Sequence, residues 1–146
     1  MEASWASSAG VRRSMSSNRR RDTSPELHLR RAVHRLGLRY FVDRAPLSTM
    51  RRRRADLVFP RLKVAVYLDG CFWHGCPEHH SVSKTNAEFW ATKVANNRAR
   101  DEDTNRRLEE AGWTVIRVWE HEDPAVAAAK IKDVVEQAKR GRVQNR

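Results

Sequence analysis

Two short apolar runs set almost back to back, "ADLVF" at 55–59 and "KVAVYL" at 63–68, constrain this chain more than any other feature. Both are rich in strand-forming side chains, and the break at Pro60 and Arg61 leaves room for little except a hairpin. An acid stands near one end of each run. Asp56 opens the first strand, and Asp69 closes the second. If the strands pair through the short turn, the two carboxylates come to the same end of the sheet. Aspartate gains nothing by packing in a strand, and two neighbouring carboxylates repel unless a cation lies between them. A hard divalent ion such as Mg2+, with oxygen ligands and several waters, is the natural occupant.

The rest of the chain supplies layers for that hairpin. Residues 1–22 are Ser-rich and then Arg-rich with no apolar period, which predicts a flexible basic arm. A single domain is expected over 23–140, followed by a basic tail at 141–146. Its first helix starts near Thr23 or Ser24, has Pro25 in the first turn and stops at Gly37. Leu29, Ala32, Val33 and Leu36 form its apolar stripe. "LRYFV" (38–42) reads as an edge strand. Thr85 and Glu88 make a capping-box pattern for a long helix over 86–111 that Gly112 terminates. "WTVIRVW" (113–119) reads as a strand, and an amphipathic helix follows Pro124. The order is helix, three strands, helix, strand, helix: an α/β fold with a small mixed central sheet.

Charge narrows the class of partner. The formal net charge is +11 and the sequence pI about 10.8, with arginine far in excess of lysine. Guanidinium grips phosphate oxygens in a planar two-pronged geometry, so the excess points to nucleic acid. No apolar run approaches the ~20 residues of a membrane helix, and "MEASWASSAG" lacks the apolar stretch of a secretion signal. An intracellular, cytoplasmic protein is expected. In a reducing compartment Cys71 and Cys76 read as free thiols or metal ligands, not as a disulfide. Paired acids on adjacent strands beside such a basic surface are the arrangement of a metal-dependent phosphodiesterase site, where the metal polarises phosphate.

Other polar residues also break the apolar pattern. The stripe of the long helix that joins Trp90, Val94, Leu108 and Ala111 passes through Asn97 and Asp101. Asp101 either pairs with one of the many arginines or serves a site. Glu26, in the first turn of the first helix, fits a capping charge or a further site acid. The stretch "DGCFWHGCPEHH" (69–80) holds Cys71, Cys76 and His79 at a spacing zinc accepts. A structural site needs a fourth ligand, and His121 beyond the "WTVIRVW" strand is the best remote candidate, with His80 as a local substitute. The alternative is that both cysteines are small buried hydrophobes. His74 is surplus to a four-ligand site and is free to act as general acid or base. Phe72 and Trp73 beside it suggest base stacking or insertion between base pairs, or else packing beneath the loop.

In this order these residues resemble the very short patch repair (Vsr) mismatch endonucleases. The resemblance runs from about Arg13 to Pro124 and rests on "RSMSSNRRRDTSPE", "ADLVF", "DGCFWHGCPEH", "TNAEFW", "NNRARD" and "GWTVIRVWEH". It implies a restriction-endonuclease-like αβββαβ core with a structural zinc site. It also implies a Mg2+-dependent nick on the 5′ side of the thymine in T·G mismatches, which arise by deamination of 5-methylcytosine. By that resemblance Asp56 is the principal Mg2+ ligand, His74 the base acting on water, and Glu26 and Asp101 supporting acids. Cys71, Cys76, His79 and His121 become the zinc ligands. Phe72, Trp73 and Trp90 become the aromatics that enter DNA, and Met15 on the arm a wedge from the other groove. Arg12, Arg13, Arg19, Arg20 and Arg21 become phosphate contacts.

Two positions depart from the family pattern. Ala55 stands where proline is common, and Asp69 where some members have histidine, which implies a direct acidic Mg2+ ligand in this chain. The expected partner is double-stranded DNA carrying a T·G mismatch, engaged by a monomer. Mismatch-repair proteins and a cognate cytosine-5 methyltransferase system are further implied partners. Two other readings compete: a restriction or mobile-element endonuclease of the same fold, and a zinc-stapled DNA-binding module without catalysis. Converging carboxylates weigh against the module, because they repel phosphate.

Overall fold

The computed structural model describes residues 24–70 and 87–144. Their order is α1 (Ser24–Arg35), β1 (Phe41–Arg44), β2 (Ala55–Phe59), β3 (Val64–Asp69), α2 (Ala87–Glu110), β4 (Thr114–Trp119) and α3 (Pro124–Gln144). The four strands form one sheet in the order β1-β2-β3-β4. β1, β2 and β3 run antiparallel, whereas β4 lies parallel to β3. Parallel neighbours need a crossover, and α2 lies within it. This mixed α/β arrangement with flanking helices fits a restriction-endonuclease-like core. No described helix is long and apolar enough to cross a membrane.

The expected hairpin forms, with Phe59 opposite Val64. A short 3-10 turn over Pro60–Leu62 joins the strands, and Lys63 takes φ 55 to close it. The first strand falls later than the expected 38–42, because β2 ends where its pairing would have to begin. Phe41 already faces Val58, and the next residue beyond Phe59 is Pro60, which has no N–H to donate. Residues 38–40 are instead tied to α1, where the Tyr40 hydroxyl donates to the Arg30 carbonyl at 2.8 Å.

Alternation along the strands builds two cores. Leu57, Phe59, Val64, Val66, Ile116 and Val118 face α1 and α3, where Leu29, Val33, Ile131 and Val135 meet them. Val58, Ala65 and Tyr67 point the other way, toward Leu108 of α2 and Met50. Leu36, expected in the α1 stripe, is 37% exposed because the helix has already ended; Leu38 is buried instead. Ala111 is likewise exposed, beyond the last turn of α2.

Glycine ends both α1 and α2. Gly37 and Gly112 each adopt φ 87, the left-handed conformation that closes a helix. At the second, the Trp113 N–H donates to the Leu108 carbonyl at 2.9 Å, which turns the chain directly into β4. An Asp123 carboxylate oxygen accepts from the Ala125 N–H at 2.9 Å and so caps the start of α3.

Candidate active site

The hairpin register decides where the acids go. β2 starts where β3 ends, so Asp56 and Asp69 share one end of the sheet. By alternation Asp56 falls at the sheet end on the Val58 side and Asp69 on the Tyr67 side. An Asp56 carboxylate oxygen accepts from the Leu68 N–H at 2.6 Å, which fixes it across the strand pair. Glu26 arrives from the first turn of α1 and hydrogen-bonds to Asp56. It is 5% exposed and also pairs with Arg30, one helical turn on, at 2.7 Å.

Asp56 therefore has Glu26 in hydrogen-bond contact and the charge of Asp69 near enough to be felt. Among the described residues, no three acidic, histidine or cysteine side chains stand close enough together to hold one metal ion. Burial pushes the Asp56 carboxyl up to about 7, the Leu68 N–H works against that, and the charges of Glu26 and Asp69 add to the rise. The proton that the raised Asp56 carboxyl keeps can donate to Glu26, and a bound cation would take its place. These hard oxygen donors suit Mg2+.

Asp101 joins this group through an intermediary. An Nη1 of Arg117, on β4, lies 3.0 Å from Asp69 Oδ1 and 3.3 Å from Asp101 Oδ1. Its Nε donates to Asn105 Oδ1 at 3.0 Å, and its guanidinium carbon sits 4.3 Å from the centroid of the Tyr67 ring. Of the two readings for Asp101, a pairing with arginine is observed, and the same arginine also pairs with Asp69. Asp69, Asp101, Arg117, Arg98, Glu102 and Trp119 line a cleft of about 210 Å3 there. Arg117 was not anticipated. Its signal is a single charged residue inside the apolar strand "TVIRVW", on the alternation side that faces α2.

Trp90 lies at the start of α2, partly buried, with its ring edge-on to Phe89 at 5.1 Å. Asn97 is partly buried on the same helix. His121 is exposed in the turn after β4. Asp69 pairs with Trp119, and the Glu120 N–H donates to the Asp69 carbonyl at 3.0 Å, so the chain leaves β3 beside the strand end that carries His121. Cys71, Phe72, Trp73, His74, Cys76, His79 and His80 lie outside the described residues, as do Met15, Arg12, Arg13, Arg19, Arg20 and Arg21.

The Arg51–Arg54 run divides in two. Arg53 donates to Asp103 and to Thr104 Oγ1, binding the loop to α2, and Arg54 pairs with Asp43 at 3.0 Å. Arg51 and Arg52 are exposed.

Residues 7–84 match the family described as DNA mismatch endonuclease Vsr. The type II nicking enzyme V.NaeI of Lentzea aerocolonigenes is 43% identical over 91% of this chain and 81% of its own length. The type II nicking enzyme V.NmeDIP of Neisseria meningitidis serogroup C is 36% identical over 83% of this chain and 82% of its own. The DNA mismatch endonuclease Vsr of Escherichia coli K12 is 36% identical over 68% of this chain and 62% of its own.

Proposed function

Given that the chain belongs to the DNA mismatch endonuclease Vsr family, and is on that ground a DNA endonuclease, we propose that it nicks one strand of a duplex 5′ of the thymine in a T·G mismatch. The observation that carries this is the buried contact of Asp56 with Glu26, with the charge of Asp69 near it, in a chain of net charge +11. Carboxylates repel phosphate, so gathering them inside a cationic molecule suits cation-assisted cleavage and not passive binding. The names of the nicking-enzyme relatives support the cutting of one strand, and that of the Escherichia coli relative supports a mismatch as target.

Asp56 and Asp69 would hold Mg2+, with Glu26 as a supporting acid beside Asp56. When bound, the ion would polarise the scissile phosphate and ease deprotonation of water. His74 takes the proton from the attacking water. Asp101 acts at one remove, sharing Arg117 with Asp69 and fixing how the Asp69 carboxylate is presented. Cys71, Cys76, His79 and His121 would hold a structural zinc that ties the loop after β3 to the end of β4. Phe72, Trp73 and Trp90 enter the DNA beside the mismatch, Met15 wedges from the other groove, and the arginines of the arm grip phosphates.

The test is a panel of labelled duplexes, matched and T·G-mismatched, incubated with the full chain and Mg2+. We expect one-strand nicking of the mismatched duplex alone. Asp56→Ala is expected to abolish nicking while binding stays nearly intact. Equal cutting of matched DNA, or normal cutting by the variant, would overturn the reading.

A further inference from the structure

A second groove opens along β1 at the other end of the sheet from the carboxylates. Its volume is about 820 Å3, and its walls are the segment entering β1, the Pro60–Leu62 turn and the end of α3. Five cations line it, Arg39, Arg44, Arg61, Lys139 and Arg142; among the described residues no acid does. Asp43, the acid on β1, is taken up by Arg54. The floor is apolar, from Phe59, Pro60 and Leu62. At its edge Phe41 is 47% exposed, with the Arg44 guanidinium 3.9 Å from the ring centroid.

We propose that this groove binds single-stranded nucleic acid, its cations gripping phosphates while Phe41 stacks on a base. Four of the five cations are arginine, whose fork matches phosphate oxygens. A cationic groove with an exposed aromatic ring at its edge suits unpaired strands, because their base faces are free. A duplex hides those faces and would leave the apolar floor against sugar and phosphate. An acidic peptide would add to the outer edge of β1, but that four-residue strand is interrupted by Asp43 at φ 52. The observations therefore favour the unpaired strand.

The test is fluorescence anisotropy of a labelled oligo-dT with the full chain, Phe41→Ala and the double variant Arg61→Ala/Arg142→Ala. Thermal melts of each variant confirm folding, which solvent-exposed positions should not disturb. Phe41→Ala should weaken binding about tenfold and leave the salt dependence unchanged. The double variant should weaken binding and flatten the slope of log affinity against log salt by about 1.4, for two lost contacts to a single strand. Amide exchange at 39–44 and 59–62 should slow when the oligonucleotide is added. Wild-type affinity in both variants, as binding by the arm alone would give, overturns the proposal. So does unchanged exchange, or displacement of the oligonucleotide by poly-glutamate at lower concentration than by unlabelled oligo-dT. No cleavage is measured, so failure here leaves the nicking proposal standing.

Discussion

Arg117 holds Asp69 and Asp101 with a single guanidinium nitrogen, 3.0 Å from one carboxylate and 3.3 Å from the other. The cation comes from β4 and the acids from β3 and α2, so one side chain joins the sheet to its crossover helix at the candidate site. Arg117→Met would leave the buried Asp69 without this partner. We expect a loss of roughly 3 kcal/mol, at the low end for a broken buried pair because Arg117 keeps some solvent contact. Arg117→Lys should recover part of that stability but little nicking, since lysine lacks the fork that serves Asn105 as well. Urea unfolding and nicking rates together separate the two effects.

Asp56 makes metal-free stability fall as pH rises. Its carboxyl stands near 7 when folded against an ordinary 3.8. A group whose folded pKa is raised contributes stability below the lower value and loses it as pH climbs through the upper one. Between about pH 4 and 7 this group should therefore weaken the metal-free protein, by on the order of 4 kcal/mol at most. Asp56→Asn should flatten that part of the pH–stability curve. Added Mg2+ should raise the melting temperature more at pH 8 than at pH 5, because the ion needs the ionised carboxylate. A melting series at both values checks this; a Mg2+ effect larger at pH 5 would count against Asp56 as the ligand.

The hairpin and its two acids were legible because a short turn fixes register, and register alone decides that Asp56 and Asp69 share an end. Glycine stops at 37 and 112 were legible for a similar, local reason. What escaped was non-local. An arginine inside "TVIRVW" can point to solvent or to a partner, and only the placement of β4 beside β3 sets Arg117 over Tyr67. The late start of β1 escaped too, because it depends on where β2 runs out of N–H donors and not on the composition of residues 38–42.

The zinc proposal gains support from the parallel pairing of Asp69 with Trp119, since Cys71 follows the first and His121 the second by two positions. Metal analysis of the purified chain should find about one zinc per molecule, and chelation should unfold it and not merely slow it. Cys71→Ser should lower the metal content and the melting temperature together. Zinc-free protein of full stability would remove the site.

Within the Arg51–Arg54 run, substitutions should have opposite readouts on two sides of one loop. Arg53 is the largest cause of the low pKa of Asp103, which Arg107 and Arg106 help to hold at about 2. It also donates to Thr104, while its carbonyl accepts from the Tyr67 hydroxyl at 3.2 Å. Arg53→Ala should therefore lower the melting temperature by detaching the loop from α2. Because the Asp103 pKa is depressed, its contribution is present above about pH 4 and fades as pH falls toward 2. Arg51→Ala and Arg52→Ala, both at exposed positions, should leave melting unchanged and instead weaken duplex binding, each flattening the salt slope by about 0.9 if it contacts a phosphate. Melting curves and a salt titration of duplex affinity on the three variants decide between a structural and a DNA-facing role at each position.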